Sequence, residues 1–190
     1  MRLFIAVDMP KSVQERLGGI ACGLPRARWV SPQQLHLTLN FIGEVDGAMM
    51  RNIQEALHKV TGPVHKVTGP ALLMCLQGLG VFPLRGKNPH TLWVGVEESE
   101  QLLALHRQIA SVLSDVGCRP EQRKYAPHVT LARLRNTPAK RLSEFIGRHM
   151  PLVLPAISVN RFRLYRSVLG AKGAKHYVEQ EYLLDDLLDT

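Results

Sequence analysis

The sequence contains few cysteines and no long apolar run, and both absences narrow the classes of protein it can encode. Its three cysteines are isolated, so neither a disulfide framework nor a CxxC zinc site is expected. No HExxH motif occurs, and no apolar run approaches the ~18–20 residues of a membrane span. The first apolar run ends at Asp8 and is too short for a signal peptide, which favours a cytoplasmic protein without membrane attachment.

Length and charge bound the remaining possibilities. With 190 residues, of which 45% are hydrophobic, the chain is expected to form one globular domain or two small lobes that share a core. The formal net charge is +8, and a basic surface favours anionic partners, with nucleic acid first among them. Nothing in the sequence indicates an obligate protein partner, so a monomer is expected.

Two short strings share one pattern: HLTL at 36–39 and HVTL at 128–131. In each, a histidine and a threonine lie two residues apart, with apolar residues between and after them. Because successive side chains of a strand point to opposite faces, the histidine and threonine share one face while the apolar residues line the other. A single strand histidine is usually a surface or core-edge residue, but two matched copies indicate a site.

Two imidazoles and two hydroxyls suit metal-free phosphate chemistry. A neutral imidazole takes a proton from an attacking hydroxyl or water, and a protonated imidazole gives one to the leaving oxygen. Threonine hydroxyls can donate to non-bridging phosphate oxygens. The pattern therefore predicts His36 and His128 as an acid–base pair and Thr38 and Thr130 as phosphate contacts, with no metal or other cofactor. It leaves open which histidine is the acid.

The sequence also contains an internal repeat of about ninety residues. Residues 3–8 match 92–97 position by position, an offset of 92 − 3 = 89, and the two histidines are offset by 128 − 36 = 92. Each copy reads strand, helix, histidine strand, helix, strand, which predicts a duplicated fold with halves of approximately 1–85 and 86–190 that may exchange strands. The helices are expected at about 10–20, 46–60, 99–113 and 138–148, and the further strands near 70–76 and 152–165.

Strand parity makes predictions for the residues around the motifs. A side chain five residues after a histidine points to the opposite face of a regular strand, which turns Arg133 away from the site and puts Phe41 in the core. Only a bulge or the end of the strand would return Arg133 to the site. Tyr125 is interpreted as a structural aromatic rather than a base-stacking one. The Gly- and Pro-rich basic segment 78–90 is expected to be a loop, and the similar segment 166–176 is expected to be a hairpin loop between the last two strands.

The paired motifs in a duplicated chain of this length resemble the two-histidine phosphoesterase superfamily. More narrowly, they resemble the bacterial and archaeal RNA 2′,3′-cyclic phosphodiesterases, historically called 2′–5′ RNA ligases. The resemblance extends over 2–10, 28–45, 82–96 and 125–133. It implies a bilobal, duplicated α+β fold, with two antiparallel-rich sheets lining a central groove and helices packed outside.

The resemblance also implies an activity, which is hydrolysis of RNA 2′,3′-cyclic phosphate to a 2′-phosphate without a metal. By position, His36 matches the proton donor, His128 the proton acceptor, and Thr38, Thr130 and Arg133 the residues that bind phosphate. The expected partners are RNA ends or small nucleotides bearing a 2′,3′-cyclic phosphate. The alternatives are the reverse 2′–5′ ligation, an RNA-binding module without turnover, and a phosphodiesterase for a small cyclic nucleotide, a 2′–5′ oligonucleotide or ADP-ribose 1″,2″-cyclic phosphate.

Overall fold

The computed structural model describes residues 1–60, 72–83, 88–119, 123–170 and 173–184. These residues form an α+β fold. In chain order, its elements are β1 (Arg2–Asp8), α1 (Lys11–Gly19), β2 (Ala27–Trp29), a 3-10 turn (Pro32–Gln34), β3 (His36–Glu44), α2 (Gly47–His58), β4 (Leu72–Met74), β5 (Leu76–Phe82), β6 (Thr91–Val96), α3 (Glu100–Asp115), β7 (His128–Leu134), α4 (Ala139–Arg148), β8 (Ile157–Val159), β9 (Arg161–Gly170) and β10 (Gly173–Leu183).

The four predicted helices are confirmed, and local chemistry explains where they begin. The side chains of Asp46 and Ser99 each accept a hydrogen bond from a backbone N–H in the first turn of the helix that follows, at 2.8 and 3.2 Å. These caps satisfy donors that the first turn of a helix otherwise leaves unpaired. The helices α1 and α4 begin directly after Pro10 and Pro138. All four helices contribute apolar side chains to one core.

Within the described residues, eight strands form one antiparallel sheet in the order β10-β9-β1-β3-β7-β6-β5, with β2 also paired to β7. The strands β4 and β8 form a separate pair. We call β10, β9, β1 and β3 the first sheet half, and β7, β6, β5 and β2 the second sheet half. Strands are exchanged relative to chain order, since β9 and β10 lie beside β1 while β2 lies beside β7.

The two sheet halves meet at one residue pair. The strands β3 and β7 are registered at Leu37 and Val129, which we call the joint, and the described residues give no further registered pair between these strands. Beyond the joint, the same edge of β7 pairs with β2 instead, from Ala132 to Leu134. The joint therefore connects the two sheets implied by the resemblance edge to edge into one sheet. The contact stays this short because β2 takes the place of β3 along the rest of β7.

The Gly-rich segment 78–90 was expected to be a loop, and this expectation was wrong, because β5 extends into it as far as Phe82. The hairpin expected over 166–176 is confirmed, since β9 and β10 pair with each other there, although the two strands occupy most of the segment. In β5, a Cβ at Gly80 would overlap the ring of Trp93 on the neighbouring strand, so glycine is required there for a close approach between strands. Glycine content predicts a loop when it is read locally, but the cross-strand packing decides the outcome.

The core lies on the face of the sheet that carries the helices. Leu37 and Val129 at the joint are both 0% exposed and belong to this core. The residues on either side of them in the strands therefore point to the other face, against which none of the four described helices packs. In the described part of the chain, no helix is both long enough and apolar enough to cross a membrane.

Candidate active site

The joint interleaves the two histidine motifs. Because β3 and β7 are antiparallel and Leu37 lies opposite Val129, extending the register by one residue puts His36 opposite Thr130 and Thr38 opposite His128. All four side chains share the helix-free face of the sheet. Side chains that are directly opposite in an antiparallel pair lie roughly 5 Å apart, and diagonal neighbours such as the two histidines lie roughly 7–8 Å apart. This spacing leaves room for a phosphate-sized group between the imidazoles.

Both imidazoles are held in the same way. The Nδ1 atom of His36 lies 2.7 Å from the carbonyl oxygen of Gln34, and the Nδ1 atom of His128 lies 2.8 Å from that of Ala126. A carbonyl oxygen only accepts hydrogen bonds, so Nδ1 carries the proton in both rings. Each Nε2 is left to face the groove, where it is an acceptor in the neutral ring and a donor in the charged one.

Each histidine strand also carries a β-bulge at the same distance from its histidine. In the β1–β3 pairing the register skips Leu39, and in the β6–β7 pairing it skips Leu131. The two positions are offset by 131 − 39 = 92, the offset of the histidines themselves. A bulge adds one residue to one strand and therefore reverses the in–out alternation that follows it.

The bulges return both side chains at the fifth position after the histidines to the groove face. Phe41 is 58% exposed and its ring lies 6.1 Å from Phe4, so the prediction that Phe41 faces the core was wrong. Arg133 is exposed between buried Ala132 and Leu134, and its charge acts on His128. Its guanidinium donates to the Thr91 hydroxyl at 2.8 Å. Regular parity failed at both places for the same physical reason.

His36 lies in an aromatic and charged surrounding built by the first sheet half. Its ring centroid lies 5.1 Å from Phe4 and 5.4 Å from His176, the latter edge to face. Asp8 is registered directly opposite His36. The carboxylate of Asp8 accepts hydrogen bonds from Arg163 and from the Tyr165 hydroxyl, both on β9, which joins β1 to β9 beside this site.

His128 lies in a simpler aromatic surrounding in the second sheet half. Its ring centroid lies 4.9 Å from Phe82 on β5, edge to face, and 6.3 Å from Trp93 on β6. Phe82 and Trp93 contact each other at 5.2 Å. Within the described residues, no third histidine is in ring contact with His128, in contrast to the His36 side.

Burial sets the protonation of both imidazoles. It lowers the pKa of His36 from the ordinary 6.5 to about 4, assisted by the nearby His176 and His128 and opposed by the Gln34 carbonyl and Asp8. Burial also lowers the pKa of His128, with the charge of Arg133 as a smaller contribution in the same direction. The ligand-free site therefore holds neutral imidazoles at pH 7. Among the described residues, no cluster of three or more His, Cys, Asp or Glu side chains could hold a metal ion.

Comparison with known proteins agrees with this arrangement. The family model of the 2'-5' RNA ligase superfamily matches residues 9–170, which covers most of the chain and includes both histidine motifs. The chain belongs to the 2'-5' RNA ligase superfamily. Two relatives, both named RNA 2',3'-cyclic phosphodiesterase, come from Thermotoga maritima and Archaeoglobus fulgidus. They are 34% and 30% identical, over 95% and 91% of this chain and 94% of each relative.

Solved structures in this superfamily share the fold. The crystal structure of TT0787 from Thermus thermophilus superimposes with a TM-score of 0.79 at 25% identity, covering 97% of this chain and 98% of that one. E. coli LigT complexed with 3'-AMP gives a TM-score of 0.72 at 22% identity, covering 96% and 97%. The expected α+β class with antiparallel strands is confirmed, and the two expected sheets form one large antiparallel sheet.

A stacked pair of rings, His106 on α3 and Tyr125 in the segment before β7, supports the backbone of β3 at Thr38 and Leu39. The rings of His106 and Tyr125 lie 4.0 Å apart and nearly parallel. The Tyr125 hydroxyl donates to the Thr38 carbonyl at 3.2 Å, and the His106 Nδ1 lies 2.9 Å from the Leu39 carbonyl. Beyond the joint these carbonyls have no strand partner on β7, so side chains satisfy them instead. Tyr125 is thus engaged within the protein, as predicted.

Sequence reasoning missed most of the residues that surround the imidazoles. His176 lies 140 positions after His36 and reaches it only because β10 joins the first sheet half, so no local signal pointed to it. Phe4 and Trp93 could have been found, since they occupy equivalent positions of the repeated segments 3–8 and 92–97. Each of them contacts the histidine of its own sheet half.

Proposed function

We propose that this protein hydrolyses RNA 2′,3′-cyclic phosphate ends to 2′-phosphomonoesters by paired-histidine general acid–base catalysis without a metal. His36 is the proton donor and His128 the proton acceptor, while Thr38, Thr130 and Arg133 bind the phosphate. The substrate class is supported by relatives named RNA 2',3'-cyclic phosphodiesterase that match nearly the whole chain at about 30% identity.

The observation that carries the proposal is the antiparallel pairing at the joint. It alternates the motifs, so that each histidine lies opposite the threonine of the other motif. A phosphate placed over the joint then has an imidazole on either side and a hydroxyl beside each imidazole. In-line displacement at phosphorus requires this geometry, because the attacking and leaving oxygens lie on opposite sides of the phosphorus.

Each step balances with the residues named. His128 Nε2 takes a proton from water as the water oxygen bonds to phosphorus, and the bond from phosphorus to the 3′ oxygen breaks. His36 Nε2 gives its proton to that oxygen, and the 2′-phosphomonoester remains. The threonine hydroxyls and Arg133 donate to the non-bridging oxygens, where negative charge develops. The two imidazoles then exchange protons with solvent to restore the starting state.

We also propose that the whole chain is one catalytic domain made of two related halves, approximately 1–85 and 86–190. The proposal is supported by the two bulges at equivalent positions and by the mirrored strand order, β9-β1-β3 against β5-β6-β7. Each half depends on strands from the other. From the second half, β9 and β10 extend the sheet beside β1, and from the first half, β2 pairs with β7.

The test is a product assay on a short RNA that ends in a 2′,3′-cyclic phosphate, run in excess EDTA. Wild type is compared with His36→Ala, His128→Ala and the matched control His149→Ala, whose side chain lies at the end of α4 against Phe145. We expect wild type and the control to produce a 2′-phosphate and both site variants to lose most turnover. Circular dichroism confirms that all four proteins are folded.

Other results would replace the proposal. RNA bound but not opened would assign a binding module without turnover. Neither opening nor binding would point to another phosphodiester, such as a small cyclic nucleotide or a 2′–5′ oligonucleotide. Net joining of two RNA ends through a 2′–5′ bond in water would make ligation the main activity.

A further inference from the structure

Two arginines lie directly opposite each other beside the site. Arg28 on β2 is registered with Arg133 on β7, and directly opposed side chains share a face of the sheet. Arg28 is exposed, whereas its neighbour Trp29 packs against Phe145 of α4 on the helix side of the sheet. Arg28 and Arg133 therefore both point to the groove face. Like charges in this arrangement destabilise a sheet, so the pair calls for an explanation.

In the part of the chain that the structure describes, no carboxylate balances the charges of this pair. Among the described residues, neither Arg28 nor Arg133 forms a salt bridge, whereas Arg161, Arg163 and Arg166 all pair with glutamates. Arg133 makes one hydrogen bond, to the hydroxyl of Thr91. A guanidinium has five N–H donors in a planar fork that fits phosphate oxygens, so most of the donors of this pair remain available to a ligand.

A glycine makes room for the Arg28 side chain. A Cβ at Gly173, the first residue of β10, would overlap the Arg28 guanidinium. The Arg28 side chain thus extends from β2 in the second sheet half to β10 in the first. Close by, the Gln34 side chain donates to the Ala174 carbonyl at 3.4 Å. The position of the guanidinium is therefore built from both halves.

Arg133 and Arg28 lie level with each other at one end of the groove, on neighbouring strands. With its bulge, β7 places Arg133 about four residues from His128, or roughly 13 Å between Cα atoms, and Arg28 lies opposite Arg133 on β2, which follows the same edge of β7 as β3. The charge of Arg133 acts on His128, whereas the Arg28 guanidinium extends to Gly173 on β10 and so offers a second position for a phosphate. A substrate that fills both positions needs a second phosphate near the first, which a polynucleotide supplies and a mononucleotide does not.

We propose that Arg28 binds the phosphodiester on the 5′ side of the terminal nucleotide, next to Arg133, and so makes the enzyme selective for oligonucleotide ends over cyclic mononucleotides. This inference rests on the proposed function. It assigns a substrate class, an RNA of at least two nucleotides ending in a 2′,3′-cyclic phosphate. It also explains why two unbalanced arginines face each other.

The test compares a nucleoside 2′,3′-cyclic phosphate with a dinucleotide and a trinucleotide that carry the same cyclic end. The variants are Arg28→Gln and the matched control Arg16→Gln, which removes the same charge from the exposed face of α1. For the two oligonucleotides, we expect Arg28→Gln to lower kcat/KM roughly fivefold to tenfold, the range of a charge-assisted hydrogen bond at an exposed site, mainly through KM. For the mononucleotide the change should be less than about twofold on the same argument.

Salt dependence gives an independent readout. Loss of one phosphate contact to a single strand reduces the slope of log affinity against log salt by about 0.7. We expect this change for Arg28→Gln with the trinucleotide and no change for Arg16→Gln. The unfolding temperature of Arg28→Gln should not fall, because the substitution removes a repulsion between like charges.

Two outcomes would overturn the inference. An equal loss on all three substrates together with a lower unfolding temperature would assign Arg28 a structural role against β10. An unchanged advantage of the oligonucleotides in Arg28→Gln would exclude the subsite. If wild type opens none of the three substrates, the proposed function fails. The subsite is then decided by the binding of a fluorescein-labelled trinucleotide 2′-phosphate, where an unchanged salt slope in Arg28→Gln rejects it.

Discussion

The two histidine strands place their imidazoles identically but surround them differently. Each Nδ1 is bonded to the carbonyl oxygen two residues earlier, and each strand bulges three residues after the histidine. His36 also faces a third imidazole, His176, and the carboxylate of Asp8, whereas the side chains around His128 in the described residues are the aromatic rings of Phe82 and Trp93 and the charged Arg133. Backbone geometry thus fixes where each proton is transferred, and the neighbouring side chains set how tightly each proton is held.

This difference bears on the proposed roles. Burial lowers the pKa of His36 to about 4 in the ligand-free site, and yet His36 is the proposed acid. An acid that is neutral at pH 7 must gain its proton when substrate binds, and the negative charge of a phosphodiester raises the pKa of an adjacent imidazole. Once protonated in a buried site, such a group is a strong proton donor.

The largest expected effect comes from removing either imidazole. His36→Ala and His128→Ala should each lower kcat by about 10²–10⁴, the usual contribution of a general acid or base. A phosphodiester with a nitrophenolate leaving group needs no acid, so it should restore turnover in His36→Ala and not in His128→Ala. Steady-state kinetics on both substrates gives the result. If the nitrophenyl substrate restored turnover in His128→Ala and not in His36→Ala, His128 would be the acid and His36 the base.

Removing the hydroxyl of Thr38 or Thr130 should lower activity less than removing an imidazole, and the two losses should be similar. Thr38→Val and Thr130→Val keep the shape of the side chain and remove a hydrogen bond to a charged oxygen. Each should lower kcat/KM roughly 10-fold to 100-fold. The same assay with the cyclic-phosphate RNA measures this loss. If only one variant is impaired, the phosphate does not sit symmetrically over the joint.

The pH dependence of kcat/KM reports the pKa values of the free enzyme, and that of kcat reports those of the enzyme–substrate complex. Because burial lowers the pKa of both imidazoles, the bell-shaped profile of kcat/KM should have its optimum on the acid side of 6.5, with a fall of about tenfold per pH unit at high pH. The alkaline limb of kcat should lie at higher pH, because bound phosphate favours the imidazolium. Rates measured between pH 4 and 9 distinguish the two limbs. A flat kcat/KM would contradict the two-histidine mechanism.

The smallest expected effect concerns Phe41, which occupies the position on β3 that Arg133 occupies on β7. Its exposed ring offers a flat surface to a nucleobase beside His36. Phe41→Ala should raise KM roughly fivefold through lost stacking, with little change in kcat. Leu73→Ala is the matched control, since Leu73 is 53% exposed on the separate β4–β8 pair. A KM that stays constant in Phe41→Ala would leave the ring without a role in binding.

The sequence predicted the elements and the four central side chains because their signals are local. Helix caps at Asp46 and Ser99 and the two-residue spacing of the histidine motifs need no tertiary information. Parity failed at Phe41 because the apolar alternation runs unbroken through a bulge, which is a property of the pairing with β1 and not of β3 itself. His176 was unpredictable for a related reason, since its place depends on strand order.

The joint at Leu37 and Val129 has a mechanical consequence. If the two sheet halves swing relative to each other, this pair is the pivot, and displacement grows with distance from a pivot. His36 and His128 are each bonded to a residue of the pair, so their spacing changes least, while Arg28 and the outer strands travel furthest. Such a swing would widen or narrow the ends of the groove while the gap between the two imidazoles stays nearly constant.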